Sequence, residues 1–237
     1  HISIRLLCEE RKMHLRDKIR TVVSLPKTIY FNFKVLEKKD AVKLPFFVDK
    51  DVKLGKLYKN VIKLNFKSDR FSIKIGKKAI DDTPEFTKGY FSMTQNSSIV
   101  FNGNAEFSYG ISFTALQQSR IVIGNNFYCN KNCVISSREA IEIGNDVLVG
   151  WNVNIRDNDG ETHRIYENNI ENEYKKKIVI KNHVWLCAFS SVLKGVEILE
   201  DTVVAYGTCV TKSLGEKNVI LAGVPAKIVK RNIEWKR

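Results

Sequence analysis

The sequence predicts an all-β fold, a parallel β-helix, and three observations support that prediction. First, an aliphatic residue returns at every sixth position of one stretch: Ile180, Leu186, Val192, Ile198, Val204 and Val210. A helical stripe would return at three and four residues and a half-buried strand at two, so this period indicates a short strand followed by a tight corner. Second, small or turn-forming residues occupy the bends: Ala188, Gly195, Asp201 and Gly207. Third, three such hexads would close one triangular coil, whose inward residues pack on the next coil.

The same period extends back to Phe101 and divides the inward positions into five sets of three. The sets are Phe101, Phe107 and Phe113; Ile123, Cys129 and Ile135; Ile143, Val149 and Ile155; Ile180, Leu186 and Val192; Ile198, Val204 and Val210. Successive sets are separated by 10, 8, 25 and 6 residues, and every insertion falls at the same corner. The interval of 25 residues predicts one loop, residues 156–177, that leaves the coil on one edge. Loops on rigid scaffolds are common places for functional residues.

The six-residue period is regular in only part of the chain, so the sequence is divided into five segments. Residues 1–12 precede Met13 and are interpreted as a vector-derived leader; residues 13–44 as an N-terminal cap, 45–100 as irregular early rungs, 101–214 as the regular β-helix and 215–237 as a C-terminal tail. Arg16 to Leu25 is predicted to form a short basic helix that ends at Pro26. Capping the open end of the β-helix is its favoured role, and contact with an acidic membrane surface is the alternative.

The composition limits the classes of partner. Lys and Arg number 39 against 26 Asp and Glu, a net charge of +13 that indicates either an anionic partner or a solvated basic surface. Nucleic acid is not predicted, because no helix-turn-helix, RNP or zinc-finger signature is present. The five cysteines (Cys8, Cys129, Cys133, Cys187 and Cys209) show no CxxC spacing, and Cys129 and Cys209 are interpreted as small apolar fillers. Without a signal peptide or a run of about 18 apolar residues, a cytoplasmic protein is expected.

The predicted loop contains a candidate general base, His163. A histidine of near-neutral pKa, held by a carboxylate such as Asp157, Asp159 or Glu161, is suited to accept a proton from a sugar hydroxyl. An exposed histidine with no role remains the alternative from spacing alone. A three-histidine zinc site of the carbonic anhydrase type is not expected, because the repeat region contains only His163 and His183.

Five ordered segments resemble the hexapeptide-repeat acyltransferases, in particular the galactoside and maltose O-acetyltransferase branch. They are IGNNFYCNKNCVI from Ile123, IEIGNDVLVGWNVNI from Ile141, IVIKNHVW from Ile178, VVAYGTCVTKSL from Val203 and LAGVPAKIVKR from Leu221, with the histidine-bearing loop between the second and the third. SLPKTIYFNF, from Ser24, is similar to the subset that acetylates capsule or other surface polysaccharides.

This resemblance implies a left-handed coil, acetyl-CoA as donor, and a homotrimer with active sites between subunits. It implies O-acetylation of a surface glycan, with a small sugar or amino sugar acceptor, or a non-catalytic scaffold, as alternatives. His163 matches the catalytic histidine and Asn130 the substrate-site asparagine, with Arg156 assigned beside them. Trp185 matches an indole that lines the pocket, or is a tryptophan buried in a rung. The expected cofactor contacts are Trp185, Ala188, Ala205, Tyr206, Thr211, Lys212, Lys227 and Lys230. No metal is implied.

Three departures from the family pattern affect the expected site. Cys187 stands where the family has glycine, and Tyr206 replaces a small alanine and would reshape the CoA channel. The loop is two residues longer between Gly160 and His163 than in the polysaccharide enzymes, so Asp157 and Asp159 both remain candidates for orienting the histidine.

Overall fold

The computed structural model describes residues 15–77, 87–160 and 164–237, with side chains described from Lys18 onward. The interpretation of residues 1–12 as a leader lies outside the described residues. In chain order the elements are α1 (Leu15–Val35), α2 (Lys38–Ala41), β1 (Phe46–Val48), β2 (Lys53–Leu54), β3 (Ile62–Leu64), β4 (Ile73–Lys77), β5 (Tyr90–Met93), β6 (Ser98–Phe101), β7 (Ala105–Ser108), β8 (Ser112–Ala115), β9 (Arg120–Ile123), β10 (Phe127–Cys129), β11 (Val134–Ser137), β12 (Ala140–Ile143), β13 (Leu148–Val149), β14 (Asn154–Arg156), β15 (Tyr166–Glu167), β16 (Ile170–Glu171), β17 (Ile178–Ile180), β18 (Trp185–Leu186), β19 (Ser191–Val192), β20 (Glu197–Ile198), β21 (Val203–Val204), β22 (Cys209–Val210), β23 (Val219–Ala222) and β24 (Lys227–Arg231).

Three sheets form the faces of a triangular coil. Face 1 has the order β1-β4-β7-β10-β13-β18-β21-β23-β24, face 2 has β2-β5-β8-β11-β14-β19-β22, and face 3 has β20-β17-β12-β9-β6-β3. Pairing within the faces is parallel except between β23 and β24, which form an antiparallel hairpin. We name the corners by the faces they join: edge 1–2, edge 2–3 and edge 3–1.

Strand register confirms the predicted inward positions. Successive strands of face 3 align five of them: Phe101, Ile123, Ile143, Ile180 and Ile198. The corresponding residues of the other two faces are aligned in the same way. All fifteen side chains are at most 2% exposed. Cys129 is one of them, as predicted. Cys209 is instead half-buried beside Ser191 in face 2, because Val210 takes the inward position.

The corners explain the turn-forming residues of the sequence. A left-handed backbone conformation recurs at six-residue intervals, with φ of 52° to 61° at His183, Phe189 and Asp201 and of 78° and 69° at Gly195 and Gly207. Asn and Asp tolerate this conformation better than other non-glycine residues, which accounts for their frequency at the corners. Ala188 lies one residue before the bend.

The early rungs continue the same core with aromatic residues. Ile75 pairs with Phe107 in face 1 and Phe91 with Phe113 in face 2. The rings of Phe91 and Phe113 are stacked with centroids 5.0 Å apart. Phe31 of α1 contacts Phe91 at 5.3 Å, so the helix closes the apolar core at the N-terminal end.

The predicted end of α1 at Pro26 is wrong. The helix has 21 residues and continues through Pro26 to Val35. A proline inside a helix removes one backbone hydrogen bond. Here the proline is on the solvent side, where the freed carbonyl can be hydrated, and packing on both sides of it holds the helix in place.

Polar side chains of α1 cover the open edge of β1. Ser24, Thr28 and Asn32, spaced by four residues, are fully buried. Thr28 Oγ1 accepts from Val48 N at 3.0 Å and donates to Val48 O at 3.1 Å. Asn32 accepts from Phe46 N at 3.1 Å through Oδ1 and donates to Phe46 O at 2.8 Å through Nδ2. The helix therefore satisfies the backbone groups that an unpaired edge strand would leave exposed or buried without partners.

Asn32→Ala is expected to lower the free energy of unfolding by about 2 to 3 kcal/mol, because it leaves the N–H and the C=O of Phe46 buried without partners. Urea denaturation followed by circular dichroism would measure the change. Lys34→Ala, on the exposed side of the same helix, is the matched control and should change stability by less than about 0.5 kcal/mol. A loss below about 0.5 kcal/mol for Asn32→Ala would contradict the role of these side-chain hydrogen bonds in covering the edge of β1.

An ion-pair cluster fixes the N-terminal half of α1. Arg20 donates to both carboxylate oxygens of the buried Asp49, at 2.6 Å each, and to Asp51 at 2.7 Å. Burial acts to raise the pKa of Asp51, but the hydrogen bond from Lys50 and the charge of Arg20 outweigh it and hold that pKa below its ordinary value. Asp51 therefore stays ionised at neutral pH, and the cluster keeps α1 in place over β1.

Candidate active site

The insertion predicted as a loop leaves the coil at edge 2–3 and contains a β-hairpin. β15 and β16 pair antiparallel, and the residues between them, Asn168 and Asn169, both have positive φ, of 52° and 66°. Two such residues form the tight turn that suits paired strands. We call residues 156–177 the arm. The paired asparagines were the sequence signal for a hairpin, and the period of six did not reveal it.

Asp157 anchors the base of the arm. It is fully buried, and its carboxylate accepts four hydrogen bonds: from Ser137 Oγ at 2.6 Å, Arg138 N at 2.8 Å, Glu139 N at 2.9 Å and Asn158 Nδ2 at 3.0 Å. Four donors match the accepting capacity of an ionised carboxylate. Asp157 therefore joins the arm to the preceding coil.

Asp159, the other candidate carboxylate, is exposed. Its side chain pairs with Lys194, and its backbone N–H donates to Tyr174 O at 2.8 Å. Lys194 also donates to Glu173 O at 2.7 Å, so one lysine of the coil contacts the arm both before and after its hairpin. The carboxylate of Asp159 is free to turn toward a neighbouring residue at little cost, because exposed ion pairs contribute little to stability.

His163 and Glu161 lie outside the described residues, but both flanks of residues 161–163 are fixed. On one side is Asp159, bonded to Tyr174. On the other, Arg164 donates to Glu171 at 2.8 Å, and its guanidinium lies 4.1 Å from the centroid of the Tyr174 ring. Arg156, also assigned to the site, is exposed at the start of the arm and donates to Asn154 Oδ1 at 3.0 Å.

An open groove of about 470 Å³ lies along the same edge. Its lining is rich in amides and includes one lysine of the arm: Thr94, Gln95, Asn96, Gln117, Gln118 and Lys175. Tyr174 Oη is 3.4 Å from Gln117 Oε1, and Lys175 pairs with Glu139 at 2.8 Å. Amides can donate to and accept from hydroxyl groups. The groove is thus suited to a polyhydroxylated ligand, and the period of the sequence gave no sign of it.

A second group of predicted residues lies on edge 1–2. Equivalent positions of four successive corners hold Asn130, Gly150, Cys187 and Ala205. Ala188 and Tyr206 follow the last two of these. Asn130 is half-buried, and its Oδ1 accepts from Lys131 N at 2.8 Å. Exposed aromatic rings flank the small residues: Trp151, Phe189 and Tyr206. Phe189 and Tyr206 are in contact, with centroids 5.2 Å apart.

The departures at Cys187 and Tyr206 have different structural consequences. Cys187 is half-buried, and burial raises the pKa of its thiol, so it is a neutral filler at the corner. One coil earlier the same place holds Gly150, where a Cβ would lie 2.6 Å from Ala188 N. Tyr206 is 70% exposed, so its ring projects from the edge and adds an aromatic surface to it.

Trp185 points outward on face 1 and is 37% exposed, so the alternative of a tryptophan buried in a rung is wrong. The C-terminal tail returns across this face. Trp235 stacks on His183 at 4.0 Å, lies 5.7 Å from Trp185, and donates from Nε1 to His183 O at 3.1 Å. His183 Nδ1 is 2.8 Å from Asp201 Oδ1. Sequence reasoning missed this cluster, because Trp235 lies 50 residues from Trp185 and outside any repeat.

The expected phosphate contacts are divided between two edges. Thr211 and Lys212 are exposed at edge 2–3, where the neighbouring Ser213 accepts from Glu197 N at 2.7 Å. Lys227 begins β24 near edge 1–2, and Lys230 lies further across face 1, paired with Ile220. The chain therefore does not bring the four residues together within one subunit.

Residues 15–77, 87–160 and 164–237 contain no group of three or more His, Cys, Asp or Glu side chains placed to hold a metal ion. Neither helix in these ranges is long and apolar enough to cross a bilayer.

No family model matches the chain. The galactoside O-acetyltransferase of Escherichia coli (strain K12) is 35% identical over 124 residues, which are 52% of this chain and 56% of that protein. The provisionally named lipopolysaccharide biosynthesis O-acetyl transferase WbbJ of the same strain is 31% identical over 144 residues, 57% of this chain and 73% of that protein. The solved polySia-specific acetyltransferase NeuO superposes with a TM-score of 0.56 at 26% identity, covering 81% of this chain and 84% of that one.

The chain spans only 52% to 58% of the length of the first three curated relatives it matches. The match to WbbJ covers more than two thirds of that protein and, together with the fold shared with NeuO, establishes the family. The coil is the left-handed β-helix that the resemblance implied. The protein is a member of the hexapeptide-repeat O-acetyltransferase family.

Proposed function

We propose that the protein is an acetyltransferase that transfers an acetyl group from acetyl-CoA to a sugar hydroxyl of a surface polysaccharide. The observation that carries the proposal is the anchored arm. Asp157 ties its base to the coil, and Arg164 is held by Glu171 and Tyr174. His163, which matches the family's catalytic histidine, immediately precedes Arg164 in the sequence.

His163 would act as the general base. Its imidazole would accept the proton of the acceptor hydroxyl as the oxygen attacks the thioester carbon. It would then return that proton to the sulfur of CoA as the C–S bond breaks, so no acyl-enzyme is needed. A carboxylate that orients the imidazole must accept a hydrogen bond from an imidazole N–H. The carboxylate of Asp157 cannot accept another hydrogen bond, because its oxygens already accept four. We therefore assign the orienting role to Asp159.

Edge 1–2 offers the features that a CoA arm requires. Ala188 and Ala205 keep the corner shallow between projecting aromatic rings, which favours a flexible chain lying along the backbone. Lys227, at the end of the same edge, could meet a phosphate as a point charge. When bound, acetyl-CoA supplies the acetyl group as a thioester. Thr211, Lys212 and Lys230 would contact the phosphates only if the cofactor extends beyond this edge.

The expected cofactor-binding residues and the arm lie on different edges of the triangular coil, which supports a site shared between subunits. Asn130, Ala188 and Ala205 are on edge 1–2, and the arm is on edge 2–3. In a cyclic homotrimer the arm of one subunit can face edge 1–2 of the next, so that three equivalent sites form. Asn130 would then reach the pocket that contains a neighbour's His163.

An acidic glycan is the proposed acceptor. The net charge of +13 favours anionic ligands, and the amide-lined groove beside the arm can bind hydroxyl groups. Relatives named polysialic acid O-acetyltransferase, from Escherichia coli and Neisseria meningitidis, are 32% and 38% identical over about half of this chain. Their named substrate is an acidic polymer.

The experiment is a thiol-release assay with acetyl-CoA and a panel of acceptors, in which the products are identified by mass. We expect CoA thiol to be released, and a mass gain of one acetyl group, only when a glycan acceptor is present. Polysialic or uronic-acid polymers should be better acceptors than neutral glycans. Preference for a neutral glycan would contradict the acidic acceptor, and failure to bind acetyl-CoA by calorimetry would favour a non-catalytic scaffold.

A further inference from the structure

The outward face of α1 is apolar and exposed. Six large apolar side chains lie on it, each between 44% and 63% exposed: Ile19, Val22, Val23, Ile29, Tyr30 and Phe33. Pairs of them are three, four or seven residues apart, so they form one stripe along the helix, which we call the α1 stripe. The opposite side of α1 carries the buried Ser24, Thr28 and Asn32. A surface helix normally leaves its polar side in the solvent, whereas α1 exposes this apolar stripe in addition to burying Phe31 and Val35.

Basic residues predominate in and around α1, although Asp17, Glu37 and Asp40 are acidic. Lys18 lies at one margin and Lys34 at the other, and both are exposed. From Lys18 to Val35 the helix contains no acidic residue. Three further lysines follow in and after α2, which packs against α1: Lys38, Lys39 and Lys43, the last of which pairs with Asp40 at 3.4 Å. An apolar stripe with lysines at its margins is typical of helices that lie in the headgroup region of a bilayer.

We propose that the α1 stripe binds the surface of an anionic lipid bilayer. The helix would lie in the plane of the interface, with the apolar side chains below the headgroups and Lys18 and Lys34 among the phosphates. Neither described helix can cross a bilayer, so this is a peripheral contact. The β-helix would then stand on the membrane by its N-terminal end, and the arm would project into the solution above it.

The charge pattern favours a bilayer over a second copy of the chain as the occupant. Two antiparallel copies of α1 would bring Lys34 of one helix close to Lys18 of the other. Between Lys18 and Val35 neither copy could offer an acidic side chain to compensate. Like charges held close together oppose association, whereas anionic headgroups attract both lysines.

Flotation of the full chain with lipid vesicles tests the proposal. Vesicles of phosphatidylcholine alone are compared with vesicles in which phosphatidylglycerol replaces part of the phosphatidylcholine. Binding is expected mainly to the anionic vesicles and should weaken as salt is added. Val22→Ser should reduce partitioning about fivefold, because one inserted side chain is lost. Lys18→Glu with Lys34→Glu should reduce it by about tenfold or more.

Matched controls distinguish the effect of the α1 stripe on vesicle binding from the effect of the protein's overall positive charge. Val229→Ser removes a valine of similar exposure, 60% against 63% for Val22, that lies between Lys227 and Lys230. Lys227→Glu with Lys230→Glu changes the net charge as much as the α1 pair. Both controls should leave vesicle binding within about twofold of the unchanged chain, because they do not alter the insertion of the stripe.

Three outcomes would overturn the proposal. One is no binding to anionic vesicles at low salt. Another is equal loss in the α1 variants and the controls. The third is a change of oligomeric mass in Val22→Ser with vesicle binding unaltered, which would identify the stripe as a contact between copies. Because vesicle binding is read without substrate, each outcome is independent of the acetyltransferase assay.

Discussion

His163→Ala is expected to lower the rate of acetyl transfer to a glycan hydroxyl by about a hundredfold to ten-thousandfold, the range that a positioned general base contributes. The unchanged protein should also lose activity as the pH is lowered, because a protonated imidazole cannot accept a proton. The residual activity of the variant should lack this dependence. Thiol release measured against pH, with saturating acetyl-CoA, would provide both results.

Two controls accompany this variant. His14→Ala removes a histidine outside the repeats and should leave the rate unchanged. The oligomeric mass and circular dichroism of His163→Ala should match those of the unchanged chain, because the substitution alters none of the fifteen aligned inward positions. Undiminished turnover in His163→Ala would disprove the role of this histidine, while the fold and family would stand.

Asp157→Ala is expected to destabilise the protein by about 4 kcal/mol. The substitution leaves Ser137 Oγ and the N–H groups of Arg138 and Glu139 without an acceptor at a fully buried site. It also detaches the base of the arm, so activity and stability should fall together. Urea denaturation and the thiol-release assay would measure the two effects.

Asp159→Asn distinguishes the anchoring carboxylate from the orienting one. Asp159 is exposed and pairs with Lys194, so its removal should cost less than about 1 kcal/mol in stability. If Asp159 orients His163, kcat should nevertheless fall by at least about tenfold, and KM should change little. Unchanged kcat in Asp159→Asn would contradict our assignment and return Asp157 to the orienting role.

The core could be predicted from the sequence because the β-helix repeats the same local environment. Each inward position contacts the equivalent position of the next coil, so a period of six residues is sufficient to assign Phe107, Cys129 and Val149 to one column. The corner residues follow the same reasoning, since the αL conformation favours Asn, Asp and Gly. Nothing in this reasoning required knowledge of distant contacts.

The site was less predictable because its contacts are irregular and long-range. Asp157 accepts hydrogen bonds from Ser137 Oγ and from the N–H groups of Arg138 and Glu139 in the preceding coil. These bonds depend on how the two coils are aligned, which cannot be predicted from the local sequence. The contact of Trp235 with Trp185 joins residues 50 positions apart. The prediction at Pro26 was wrong because the effect of a proline on a helix depends on the tertiary contacts that the helix makes on either side of it.

Four properties can be recognised in the amino-acid sequence: the six-residue period, the inward columns, the place of the arm and the family resemblance. Each of them is repeated or local, so no coordinates are needed. Three others required the folded structure: which carboxylate is buried, how edges 1–2 and 2–3 divide the site residues, and that α1 buries a row of polar side chains and exposes an apolar stripe. Those properties depend on which groups the fold removes from water, and burial is decided by the assembly of the whole chain.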